Sequence, residues 1–284
     1  MAAQLTPQLL ADGFVFLEGP RWHDGKLWVS DMFAEKVLTV DAQGNTELVA
    51  TVPQRPSGLG FLPDGRLLIV SMHDKKLLRQ DPNGLAAVAD VSALVRGDIN
   101  DMVVDAQGRS YIGSFGYDLM GGEEARPANI VMVTPDGQAR VVADGLSFPN
   151  GSVISPDGGT FIVAETFANC LSAFSIAADG SLSDRRVFAQ LGEATPDGIC
   201  LDAEGAVWVS SFGSGEFLRV KDGGEVTHRV AVPDKRAVAC MLGGEGRQTL
   251  FMLTAATTVE ELAQGKSAAA IETVQVEVSG AGLP

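Results

Sequence analysis

The sequence has little positive charge. Its 284 residues carry 21 lysines and arginines against 36 acids, a net charge of −15, and no basic run offsets that field, which repels phosphate backbones and anionic membrane surfaces. Nucleic acid and membrane surfaces are therefore poor partners. Long apolar runs are missing too: no stretch approaches the roughly 20 residues needed to span a bilayer, and the N-terminus lacks a basic segment followed by an apolar one. The chain is expected to be cytoplasmic, without an export signal. Cysteine is scarce. Cys170, Cys200 and Cys240 are odd in number, lack C-x-x-C spacing and sit in apolar strand-like runs, which suits buried reduced thiols and argues against a thiolate zinc site. Long helical patterns are few. With 33 glycines, many of them in Asp-Gly, Gln-Gly and Asn-Gly pairs, the chain reads as short strands joined by tight turns, and at 45% hydrophobic content it can bury one large core.

What the chain does contain is a repeated phrase. Asn150 opens Asn150-Gly151-Ser152-Val153-Ile154-Ser155-Pro156-Asp157-Gly158, in which an apolar strand-like run leads to a hairpin turn seven residues on. Asp197 before Glu204-Gly205, Asn100 before Gln107-Gly108 and Ser57 before Asp64-Gly65 repeat that offset, and Glu18 before Asp24-Gly25 matches it within one residue. Each phrase heads a unit of four short strands, and a sixth, more worn unit begins at Val238 and ends near Val276. Residues 1–17 hold enough for one short strand, placed to close a ring, and the segment from Val259 to Ala270 is expected to be a loop inside the sixth unit. Six units at a spacing of about 40 to 50 residues predict an all-β, six-bladed propeller occupying residues 1–284 as one domain. Ring closure also removes exposed sheet edges.

In a propeller the first strand of every blade lines the central channel, so equal offsets become convergence in space. Glu18, Asn100, Asn150 and Asp197 would then present two carboxylates and two amide oxygens to one point at the channel mouth. Such hard donors suit Ca²⁺ first, with Zn²⁺ and Mn²⁺ also able to accept carboxylate oxygens. Asn or Asp before Gly is also a common turn former, and any one of these positions has that simpler explanation. A turn needs no carboxylate at Glu18, however, and two acids near a channel axis call for a counter-cation.

These residues resemble the senescence marker protein, gluconolactonase and luciferin-regenerating-enzyme family of six-bladed propellers. The resemblance spans nearly the whole chain and rests on Glu18-Gly19-Pro20-Arg21-Trp22, Asn100-Asp101, Asn150-Gly151 with Ser155-Pro156-Asp157-Gly158, and Pro196-Asp197-Gly198. It implies metal-dependent lactone hydrolysis supported by Ca²⁺, Zn²⁺, Mn²⁺ or Mg²⁺, with Glu18, Asn150 and Asp197 as ligands and Asn100 as a ligand or a hydrogen-bonding partner of substrate. One departure stands out. Sugar-lactone members carry an arginine two residues before the Asn-Asp pair, where this chain has Asp98.

The loops after the second strands should form the pocket rim, bringing His73, Phe115, Tyr117, Asp118, Phe167 and Phe212 to the substrate, together with Phe33 and Asp98. That rim is more apolar than a polyol needs, so a less hydroxylated lactone or ester is expected to outperform gluconolactone. Some of the aromatics would instead pack between blades, and a lone rim histidine is commonly a solvated group. Asp101 is expected to hydrogen-bond neighbouring strands, His23 and His228 to lie on the far side or on outer strands, and Trp22, Trp28 and Trp208 to be core. Two functions remain open. In one, the ion polarises the carbonyl of a small-molecule lactone or ester and Asp197 doubles as proton acceptor; the same scaffold would also serve a non-hydrolytic ring opening. In the other, the ion is structural and the propeller binds a ligand or a protein. Fold alone does not choose between them.

Overall fold

The computed structural model describes residues 2–119 and 121–282. Six antiparallel sheets stand around an axis as the blades of a propeller. Blade one is Leu17–His23, Lys26–Asp31, Lys36–Val40 and Thr46–Thr51; blades two to five open with the inner strands Pro56–Phe61, Ile99–Val104, Pro149–Ile154 and Pro196–Leu201; blade six opens with Arg236–Gly243. Each inner strand touches the inner strands of both neighbouring blades, and blade six touches blade one, so the ring is closed.

Burial falls from axis to rim, and composition follows it. Every residue of Ile99–Val104, Pro149–Ile154 and Pro196–Leu201 is buried, as is every residue of the second strands Leu67–Ser71, Ser110–Ser114 and Val207–Ser211. These strands lie between neighbouring sheets and read as nearly continuous apolar runs. Outer strands such as Leu182–Gln190 are largely exposed.

Each inner strand breaks register with its partner at the same place: between Glu18 and Arg21, Pro56 and Leu59, Ile99 and Met102, Pro149 and Ser152, Pro196 and Ile199, and Ala237 and Ala239. Bulges of this kind bend a strand and re-aim its side chains. They also correct the turn explanation of the Asn-Gly and Asp-Gly pairs, which lie inside the inner strands. The glycine is required there by crowding at the axis. A Cβ on Gly151 would lie 2.5 Å from Ile199 N, one on Gly58 2.5 Å from Met102 N, and one on Gly198 would meet the Ala239 side chain.

The ring closes as expected in kind, with one strand more than expected. Gln8–Phe14 forms the outer strand of blade six against Ala268–Gln275, and Ala3–Leu5 adds a second strand, parallel to Val226–Ala231, as a fifth member of blade five. The stretch expected as a loop from Val259 to Ala270 instead holds a short helix, Val259–Ala263, followed by the start of the Ala268–Gln275 strand. A capping box between Thr258 and Glu261 satisfies the orphan amides at that helix start. Trp208 is core, whereas Trp22 and Trp28 are only half-buried, stacked on Phe251 and set edge-on to Phe61 respectively. All three cysteines are free and buried, as expected.

Candidate metal centre and pocket

At the bulges the side chains of neighbouring blades meet, and those of blades two to four form one hydrogen-bonded arc. Ser57 Oγ donates to Asn100 Oδ1 at 2.8 Å, Asn100 Nδ2 donates to Asn150 Oδ1 at 3.0 Å, and Asn150 Nδ2 donates to Thr166 Oγ1 at 3.3 Å. Thr166 Oγ1 in turn donates to the carbonyl of Pro196, the residue before Asp197, at 2.7 Å. This arc fixes which way each amide faces and leaves each carbonyl oxygen a further lone pair. Glu18, Asn100, Asn150 and Asp197 are all buried and brought together, with Ser57 as a fifth polar member and the apolar Val238 in the sixth place.

The electrostatics at the axis are lopsided. Burial, then Asp197, then Asp101 push the Glu18 carboxyl well above the usual carboxylate range, against a hydrogen bond from the Gly19 amide. Burial and Asp101 likewise raise Asp197 well above its ordinary value, with Asn150 opposing. Asp101 is raised by burial and held down in part by Arg21. Arg21 donates to the carbonyls of Pro20 and Met102, while its Nε and Asp101 Oδ1 have no hydrogen-bond partner among the described residues. Asp101 is therefore not the strand-to-strand link expected of it; a buried carboxylate near a guanidinium behind the amide arc is what the fold makes of it. Three acids face one base, a formal excess of two acidic groups in a desolvated place. The donor set and that excess both fit a hard divalent cation.

Beside the axis opens a pocket of about 470 Å³, whose lining includes Arg55, His73, Asp98, Phe115, Tyr117 and Asp118. Asp98 lies two residues before Asn100 on the same chain segment, whereas Glu18, Asn100, Asn150 and Asp197 do not themselves line this pocket. Asp98 Oδ2 is 2.8 Å from His73 Nδ1. Phe115 and Tyr117 are buried against Phe148, which stacks on Phe115 with ring centroids 4.4 Å apart and also meets Phe167 at 4.9 Å. Phe167 is 51% exposed and Phe212 sits under Arg236, and neither lines this pocket. Phe33 lies under Arg55 at 4.7 Å. The rim is thus mixed in character: Lys75, Arg55, Asp98, Asp118 and Glu123 line it alongside the aromatics and Leu262. A larger groove of about 590 Å³ lies around His23, Lys26 and Glu47. It sits at the far end of blade one from Glu18, away from the converging carboxylates. His23 stacks on Phe61 there, and His228 lies on the outer strand of blade five, as expected.

A model of the SMP-30/gluconolactonase/LRE-like region matches residues 16–256. The chain belongs to that family. Within reach of it stands regucalcin of Danio rerio, 28% identical over 282 residues, covering 94% of this chain and 92% of the relative. Pentonolactonase XacC of Haloferax volcanii is 24% identical over 245 residues, covering 84% and 81%. Among solved structures, a calcium-binding protein, regucalcin, from Agrobacterium tumefaciens superposes with a TM-score of 0.77 at 23% identity over the full length of both chains. Family membership and fold agree, and the six-bladed propeller stands.

Four participants escaped the repeat pattern. Phe148 lies two residues before the blade-four phrase and Thr166 follows the second strand of that blade, Arg55 precedes the phrase of blade two, and Leu262 comes from the blade-six insertion. Only Thr166 had a usable signal, being the middle residue of the Glu165 to Phe167 rim loop.

Proposed function

We propose that this chain is a hydrolase that opens small lactones, with a divalent cation, Ca²⁺ first among candidates, held by Glu18, Asn150 and Asp197 and with Asn100 beside them. The observation that carries the proposal is the buried cluster of three acids at the axis, Glu18, Asp101 and Asp197, against the single base Arg21, together with the oxygen donors Asn100 and Asn150. A cation bound there supplies Lewis-acid polarisation of a carbonyl oxygen and stabilises the charge that develops on it. The chain's own residues do the rest. Asn100 and Asn150 are pre-set by the Ser57 and Thr166 hydroxyls, so their amides need no reorientation during reaction. Asp197, desolvated and flanked by Asp101, serves as the acceptor of the proton that the attacking water gives up. Phe115 and Tyr117 give the pocket an apolar wall on which a ring is held, Arg55 offers hydrogen bonds from the blade-two side, and Asp98, before the inner strand of blade three, stands in place of the family's arginine. The named pentonolactonase relative supports the hydrolase reading.

Acid release from sugar, alkyl and aryl lactones, followed with a pH indicator after adding Ca²⁺, Zn²⁺, Mn²⁺ or Mg²⁺ to chelated protein, tests this. Metal-dependent acid release is expected, and Asp197→Asn should remove it. The calcium-binding name of the Agrobacterium structure favours a second reading, in which the ion is bound without turnover. Calcium binding by calorimetry with no acid release from any lactone would select it.

A further inference from the structure

We propose that His73 is a catalytic residue, the general acid that protonates the leaving oxygen of the lactone, and that Asp98 is its positioning residue; this rests on the hydrolase reading above. The pair comes from two different blades. His73 follows the second strand of blade two and Asp98 precedes the inner strand of blade three, yet His73 Nδ1 and Asp98 Oδ2 stand 2.8 Å apart. Both backbones are pinned where they meet: His73 N donates to Gln54 O at 3.1 Å, and Asp98 O accepts from Phe115 N at 2.8 Å. Both side chains line the 470 Å³ pocket. With Nδ1–H given to Asp98, the other ring nitrogen, Nε2, has no recorded partner among the described residues and is free for a ligand.

Other charged groups around the pocket are poorly suited to this task. Arg55 lies with its guanidinium over the Phe33 ring at 4.7 Å. Asp118 Oδ1 accepts from Gly121 N, and Glu123 Oε2 accepts from Asp118 N, so both carboxylates are engaged within their own loop. His73 is the one side chain of the pocket that carries both a ring nitrogen held by a carboxylate and a second ring nitrogen without a partner among the described residues. Its role is the complement of that of Asp197: one group receives a proton at the attacking water, the other delivers one at the departing oxygen.

The step balances. Water adds to the acyl carbon and passes one proton to Asp197. As the bond between acyl carbon and ring oxygen breaks, the electron pair stays on that oxygen and His73, as the imidazolium, gives it the Nε2 proton. The product is a hydroxy acid. Asp197 then loses its proton to solvent and His73 regains one, so one water is consumed and the enzyme returns to its starting state.

Leaving-group dependence tests the proposal. An alkyl lactone such as δ-valerolactone must expel a basic alkoxide, whereas phenyl acetate expels a weakly basic phenolate that leaves without much help. In the calcium-loaded protein, His73→Gln should lower kcat for δ-valerolactone about 10²-fold, in the usual range for general acid catalysis, with KM little changed, and should lower that for phenyl acetate by less than about tenfold. Imidazole in the buffer should restore part of the δ-valerolactone rate to His73→Ala, and Asp98→Asn should fall between wild type and His73→Gln. Equal losses on both substrates, a loss confined to KM, or no rescue would overturn the role of His73. Calorimetry keeps the outcomes apart: unchanged calcium binding in His73→Gln leaves the metal site standing whichever way the rates fall, while a wild-type protein that hydrolyses neither substrate overturns the hydrolase reading and the role of His73 with it.

Discussion

Replacing Asp197 by Asn should make the chelated protein more stable and the calcium-loaded protein relatively less so. The change keeps the shape of the side chain and removes one of three buried acids. Two unit charges about 5 Å apart repel by about 3 kcal/mol at an effective dielectric near 20. Protonation already relieves part of this, since burial and neighbouring acids raise both Glu18 and Asp197. A gain of about 1–3 kcal/mol remains, which for a chain of this size corresponds to a rise of about 2–6 °C in Tm. The pH dependence follows from the direction of the shifts. Both carboxyls bind protons more tightly in the folded than in the unfolded chain, so from the unfolded carboxylate range near pH 4 upward to their raised folded values, stability of the chelated wild type falls as pH rises. Asp197→Asn should flatten that fall. Calcium at about 100 times its Kd should stabilise the wild type by about 2.7 kcal/mol and leave the variant nearly unmoved. Thermal melts of both proteins between pH 4.5 and 8, with chelator or calcium, measure all of this. A chelated variant that melts below chelated wild type at pH 7.5, or a calcium-induced rise that survives the substitution, would refute the reasoning.

Gly58→Ala should cost about 2–4 kcal/mol in urea unfolding, because its Cβ meets backbone on the next blade at 2.5 Å; Gly65→Ala, strained by a φ of +83° but with free space around it, should cost about 1–2 kcal/mol. Arg219→Met should destabilise by about 3–5 kcal/mol, since it leaves the fully buried Asp202 carboxylate without the Arg219 Nε at 2.6 Å, and adding Asp202→Asn should recover part of that loss. Deleting residues 2–14 removes the outer strand of blade six as well as the extra strand of blade five, so near-ultraviolet circular dichroism should show loss of the cooperative transition and light scattering should show association through the bared edge; deleting residues 2–5 alone should leave the cooperative melt in place.

The sequence by itself determined the fold, because each blade is a local unit. Strands of five or six residues, closed by Asp-Gly or Gln-Gly turns and repeated six times, specify their own hairpins, and an apolar inner strand has only the ring interior in which to hide. It determined the axial set as well: equal offset in a closed ring means equal radius, so Glu18, Asn100, Asn150 and Asp197 meet by symmetry. Tertiary structure alone decided whatever depends on one blade facing the next. The function of Gly58 and Gly151 as points of backbone contact, which from the chain looked like turn chemistry, is set by the neighbouring strand. The standing of Asp101 against Arg21, the stacking of Phe148 on Phe115, the removal of Phe167 and Phe212 from the pocket, and the approach of His73 to Asp98 across 25 residues all arise between blades. Local pattern carries no distance between side chains on different sheets; that distance is fixed by the twist and packing of the blades around the axis.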